Sequence, residues 1–143
     1  MQPDTLLGEL AKKLGAGTLA PDGEGRVRLD FADGLVVDLY FPARGQMYAE
    51  ALLERLPERP AEAEAAMRKA LRRALAALRD RQEALALDRA GNGLVIWRRF
   101  MIDEASFAEL ETDLADFLDE VDAWRNAAEP PRQVGPMTMM LFP

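Results

Sequence analysis

The chain contains no cysteine and no histidine. Without cysteine, disulfides and thiolate chemistry are excluded, and the cytoplasm is the expected compartment. Without either residue, the usual transition-metal sites and the Ser-His-Asp and Cys-His arrangements have no parts to build from. No metal, no cofactor and no catalytic residue is therefore expected. An enzyme would have to work with carboxylates, lysine or tyrosine. No apolar run approaches the roughly 20 residues that a membrane-spanning helix needs. The N-terminus, MQPDTLLGELAKKLG, has no basic region followed by an apolar block, so no secretory signal is expected either. Positive charge is also scarce. With 18 Lys+Arg against 25 Asp+Glu the net charge is −7, the wrong sign for a general nucleic-acid binder.

Hydrophobic residues at 49% and charged residues at 30% describe a globular protein rather than a disordered one. A length of 143 residues suits one domain burying roughly two-thirds of its unfolded surface. Residues 4–14 (DTLLGELAKKL) read as a helix with Leu7, Leu10, Ala11 and Leu14 on its apolar stripe and Leu6 at the margin, ended by Gly15. Gly8 weakens that helix by about 1 kcal/mol relative to alanine, so packing must hold it. A Pro-Asp-Gly turn at 21–25 joins a short strand, 18–20, to the strand 26–31, where Val27, Leu29 and Phe31 alternate with Arg26, Arg28 and Asp30. Asp33-Gly34 turns the chain into a second strand, 35–41. Its outer face, Val36, Asp38 and Tyr40, is only half polar, which hints that this face meets something.

Residues 46–56 fit two patterns. The composition is that of a helix, with Tyr48, Leu52 and Leu56 on a stripe, while Met47, Ala49, Ala51 and Leu53 alternate as in a strand. After Pro57 and Pro60, residues 61–82 form the strongest helix of the chain. One stripe holds Met67, Leu71, Leu75 and Leu78, and beside it runs a row of Ala63, Ala66, Ala70, Ala74 and Ala77. Such a row fits close packing on the chain's own sheet or a two-fold contact between helices of a homodimer. The helix carries Arg68, Lys69, Arg72, Arg73, Arg79 and Arg81, a solvated face or a match for an acidic helix.

Residues 84–88 and 94–101 read as two more strands about a turn at 89–93. In the second, Leu94, Ile96, Arg98 and Phe100 share one face, and Val95, Trp97, Arg99 and Met101 the other. Asp103 stands where a helix cap belongs, with Ile102 and Phe107 as a hydrophobic staple. The following helix presents Phe107, Leu110, Leu114, Phe117, Leu118, Val121 and Trp124 on one side. Glu109, Glu111, Asp113, Asp116, Asp119, Glu120 and Asp122 fill the other, a solubilising face rather than an acid/base pair. Residues 1–127 make up the folded body. Residues 128–143 form a Pro/Met-rich tail ending Met137, Met139, Met140, Leu141, Phe142.

In combination, several short motifs resemble the class I type III secretion chaperones, the CesT family. They are Leu7, Leu10, Leu14 and Gly15 in the opening helix; Asp22, Gly23 and Gly25 in the D-G-x-G turn; and ALLERLP ending at Pro57. The last is ALALDRAGNGLVIWRRF followed by a helix holding Phe107, Glu111 in a leucine's place, and Trp124. The resemblance covers about residues 4–126, and it implies that residues 46–56 are a strand. The implied fold is α+β, an α-β-β-β-α-β-β-α sandwich with a twisted, mainly antiparallel sheet packed against helices.

Its implied function is a cytoplasmic homodimeric chaperone. It would hold the N-terminal region of a secreted effector in extended form, export-competent, and present it to the secretion ATPase without hydrolysing ATP itself. Strand edges and apolar pockets would serve that task. Leu6, Leu10, Val36, Tyr40, Met47 and Trp97 are the candidate effector contacts. The candidate dimer interface is Met67, Ala70, Leu71, Ala74, Leu75, Leu78 and Val95. A regulatory or interaction module of the same fold (YbjN-like) is the second expectation, and a carboxylate-based enzyme the third.

Overall fold

In the computed structural model, the residues described are 1–77, 82–88 and 90–128. Leu78, Arg79, Arg81 and residues 129–143 of the C-terminal tail lie outside them.

The first helix, α1 (Pro3–Leu14), starts with proline in its opening turn, where a missing N–H costs nothing. It ends on Gly15 at φ 66°, whose N–H closes onto Lys12. It buries Leu6, Leu7, Leu10 and Ala11. Leu6, expected at the margin, is sealed, while Leu14 sits on the rim at 41% exposure. Residues 18–20 do not form a strand; Leu19 packs against the core from an irregular segment.

Five strands form one antiparallel sheet: β1 (Arg26–Asp30), β2 (Val36–Tyr40), β3 (Gln46–Arg55), β4 (Ala84–Leu87) and β5 (Gly93–Met101), in the order β1-β2-β3-β5-β4. Residues 46–55 are therefore a strand despite their helical composition. The strand lies between β2 and β5, and Met47, Ala49 and Ala51 are almost fully buried, so pairing on both sides and burial outweigh local propensity.

One sheet face carries Val27, Leu29, Val37, Leu39, Met47, Ala49, Ala51, Leu94, Ile96 and Phe100. Three α-helices among the described residues contribute to the same buried cluster: α1, α2 (Pro60–Ala77) through Ala70, and α3 (Phe107–Ala128) through Leu110, Leu114, Phe117, Val121 and Trp124. The Phe117 ring meets Phe100 edge-on at 6.3 Å between centroids. Full burial of one such side chain is worth about 1.5–3 kcal/mol.

The cap of α3 is not Asp103. Ser106 Oγ accepts the N–H of Glu109 at 3.2 Å, and Glu109 Oε2 accepts the N–H of Ser106 at 2.9 Å. This reciprocal pair satisfies two groups at the helix start, which a residue three positions earlier cannot reach. Asp103 instead packs against Gly45 (φ 77°), a position with no room for a Cβ. Ile102 is fully buried, its N–H bonded to the Gly45 carbonyl, rather than serving as a staple at a helix entrance.

Candidate protein-binding surfaces

Strand alternation sends every second residue to the opposite face of the sheet. Register places Arg26, Tyr40, Tyr48 and Arg99 in one row across that face, and Arg28, Asp38, Glu50, Trp97 and Ala84 in the next. Leu52, Val95 and Ala86 form a third row, just before a bulge in β3. Each helix contributes to the core on the other side, and among the described residues none contributes to this one.

The open face is mixed. Arg28 grips Asp38 through two bonds, at 2.9 and 3.2 Å. That pairing raises the Arg28 pKa, mainly through the hydrogen bond to the Asp38 carboxylate. Beside this pair, Tyr48 and Trp97 meet edge-on at 5.4 Å. Leu52 is 38% exposed and Met101 49%. Val95 is 5% exposed, with Leu52 and Ala86 as its neighbours across the sheet.

The candidate effector contacts divide by strand parity. Val36, Tyr40 and Trp97 are half-buried on the open face. Leu6, Leu10 and Met47 lie on the opposite side, within the core. Tyr48 and Leu52 also belong to the open face and were not among the expected contacts. Their signal was the parity of residues 46–55: once Met47 points inward, Tyr48 and Leu52 point out.

The α2 candidates separate in the same way. Ala70 is buried, and Met67 and Ala74 pack against the core. Leu71 and Leu75, one turn apart, stand 59% and 67% exposed. Ala70 and Ala74 thus face the core, and the two leucines face away from it. Arg73 fastens α2 to α3 by lying over the Trp124 ring at 4.2 Å and donating to the Ala123 carbonyl at 3.3 Å. That accounts for one basic residue of α2 through the last helix.

The acidic side of α3 is not wholly exposed. Glu120 is 7% exposed and lines a polar cleft with Gln82, Glu83, Arg98, Asp116, Asp119 and Ala123. Within it Arg98, itself 9% exposed, stands 3.7 Å from the Glu83 carboxylate and donates to the Asp113 carbonyl at 3.3 Å. Its guanidinium also lies 5.0 Å over Phe100. Arg98 thus brings a strand residue of the core face into charge contact with β4's approach and with α3. Among the described residues, no group of three or more acidic side chains is placed to hold a metal ion, and no helix is long and apolar enough to cross a membrane.

The sheet thus has one helix-covered core face and one half-apolar open face, and α2 carries two exposed leucines. Comparison with known proteins adds the family. The model of the Tir chaperone protein (CesT) family matches residues 5–125, and the chain belongs to that family. Its fold is that of the class I type III secretion chaperones. A chain in the HopA1–SchA chaperone–effector complex superposes with a TM-score of 0.65 at 22% identity, over 85% of this chain and 91% of that one. The Yersinia pestis type III secretion chaperone SycH, solved with a fragment of YscM2, gives 0.55 at 20% identity, over 85% and 98%. YbjN from E. coli gives 0.52 at 14%, over 90% and 88%. At these identities the likeness is one of fold. No curated protein matches the sequence.

Proposed function

We propose that this protein is a cytoplasmic, homodimeric chaperone for a type III secreted effector. On this reading it holds the effector's N-terminal region in extended form and hands it on, export-competent, to the secretion ATPase, with no catalysis of its own. The observation that carries the reading is the open sheet face, where Val36, Tyr40, Tyr48, Leu52, Trp97 and Met101 stand partly uncovered around paired charges. An extended segment places alternate side chains on such a face while its main chain pairs with a strand edge. Leu6, Leu10 and Met47 support that face from beneath rather than touching cargo.

Residues 1–127 are the binding body in this proposal. Leu71 and Leu75 provide the subunit contact, with Leu78 continuing their stripe in sequence. Met67, Ala70 and Ala74 position the helix, and Val95, buried between its register neighbours Leu52 and Ala86, holds that part of the sheet.

Capture with the tagged full chain, followed by limited proteolysis of what is bound, tests the function. The expected result is a secreted protein protected in its N-terminal region, and loss of that capture in Trp97→Asp with the circular dichroism unchanged. Absence of any secreted protein, or protection of some other region, would sink the proposal.

A further inference from the structure

The Asp22–Gly25 turn takes no part in the surfaces above. It lies against β1, one of the two end strands of the sheet. End strands present unpaired N–H and C=O groups on which another chain can add. The Phe31 N–H bonds to the Leu35 carbonyl at 2.8 Å, so Phe31, Leu29 and Val27 turn their main-chain groups toward β2. Those of Arg26, Arg28 and Asp30 therefore face outward.

At Arg26 both outward groups are already taken. Asp22 Oδ1 accepts the Arg26 N–H at 3.0 Å, and the Asp22 N–H donates to the Arg26 carbonyl at 2.9 Å. The same carboxylate accepts from the Glu24 N–H and from Arg26 Nε, each at 2.9 Å. Gly25, at φ 77°, closes the turn by donating to the Asp22 carbonyl at 3.0 Å. The turn thus fills the place of a neighbouring strand for one residue. Arg28 and Asp30 have no main-chain partner on that side among the described residues.

We propose that the Asp22–Gly25 turn guards the β1 edge against pairing with β1 of a second copy of this chain. The strand, RVRLD, is self-complementary in an antiparallel pair centred on Arg28. Arg26 of each copy would face Asp30 of the other, and Val27 would face Leu29. Arg28 would face its own equivalent, each arginine already neutralised by its Asp38. Opposite charges across a strand pair favour that register. With Asp22 in place, the ranks joining Arg26 to Asp30 cannot form hydrogen bonds, and only the Arg28 rank is left. One rank is far short of a stable two-strand contact.

The test is sedimentation over a range of concentrations on full-length Asp22→Ala, in the wild-type chain and again with Leu71→Glu and Leu75→Glu. The second background keeps the outcome independent of the proposed α2 dimer. The association constant is expected to rise at least about tenfold in both, as main-chain bonds become available. Gly25→Val, which cannot easily hold the left-handed turn, should act the same way by a separate lesion. Asp22→Asn keeps the acceptor for the Arg26 N–H and should stay close to wild type. Adding Arg28→Pro, which removes an outward donor without touching the pairing to β2, should reverse the gain. The guard is refuted if Asp22→Ala and Gly25→Val are both folded by circular dichroism yet sediment as wild type. It is equally refuted if the new association survives Arg28→Pro.

Discussion

On the proposed α2 contact, replacing Leu71 and Leu75 together by glutamate should separate the subunits and leave each one folded. The two side chains are 59% and 67% exposed in the single subunit, so the fold gains little from them. A substitution at such a surface position usually changes stability by within about 0.5 kcal/mol. Association is another matter. Burying a leucine completely is worth about 1.5–3 kcal/mol, so covering the exposed part of each yields about 1–2 kcal/mol. A two-fold contact uses both leucines from both subunits, and about 4–8 kcal/mol is then at stake, roughly a thousandfold to a millionfold in the dissociation constant. Sedimentation should show a monomer across micromolar concentrations where the proposed wild-type dimer persists. Urea unfolding of the variant should match that of the wild-type monomer.

Ala70→Glu supplies the contrast on the same helix. Its side chain is 9% exposed within the core cluster, so a carboxylate there should unfold the subunit instead of separating two folded ones. A Leu71→Glu, Leu75→Glu protein that still sediments as a dimer would refute the assignment of this face. So would an Ala70→Glu protein that is a well-folded monomer, because the two faces of α2 would then have been exchanged.

Two further predictions concern the fold. Ser106→Ala should cost about 1 kcal/mol, read as a lower urea midpoint, whereas Asp103→Ala should cost less than half as much, since only the former removes a cap. Arg98→Ala should cost about 3 kcal/mol, because it strands the Glu83 carboxylate, 8% exposed, without its cation. Arg98→Met combined with Glu83→Gln should recover most of that loss in the same urea assay.

The strands and helices were legible where one periodicity stood alone. Val27-x-Leu29 and Val37-x-Leu39 alternate with charges or partly polar residues, and both pairs are buried as expected. Residues 46–55 were not legible from pattern, because alanine, glutamate and leucine fit either period and only neighbours on both sides decide the matter. That ambiguity carried into the site. Choosing Met47 rather than Tyr48 as the contact is a choice of strand parity, and one residue of parity reverses the face. The helix start is readable in the sequence: Ser106-x-x-Glu109 carries the capping-box signature, whereas Asp103 merely follows the strand. Glu120 could not be placed from periodicity, since nothing in a helical wheel foretells that a polar cleft around Arg98 would shelter one acid among several.

The charge of the open face leads to a last expectation. Along β1, β2, β3 and β5, Arg26, Arg28, Arg55 and Arg99 share this face with Asp30, Asp38 and Glu50, so these strand charges nearly cancel. The whole chain carries −7, so the acidic excess lies elsewhere, with Glu109, Glu111, Asp116, Asp119 and Asp122 exposed on α3. Electrostatic steering would have favoured a net charge on the binding face, and such binding weakens steeply with salt. A nearly neutral face with a tyrosine–tryptophan pair and exposed leucine and methionine calls instead on apolar burial and main-chain pairing. Cargo affinity measured by calorimetry should therefore change less than about threefold between 50 mM and 500 mM sodium chloride, since screening acts on charge and not on burial. Its heat-capacity change should be negative, the mark of apolar surface leaving water. A tenfold or greater loss of affinity over that salt range would move the contact away from this face and toward the acidic helix.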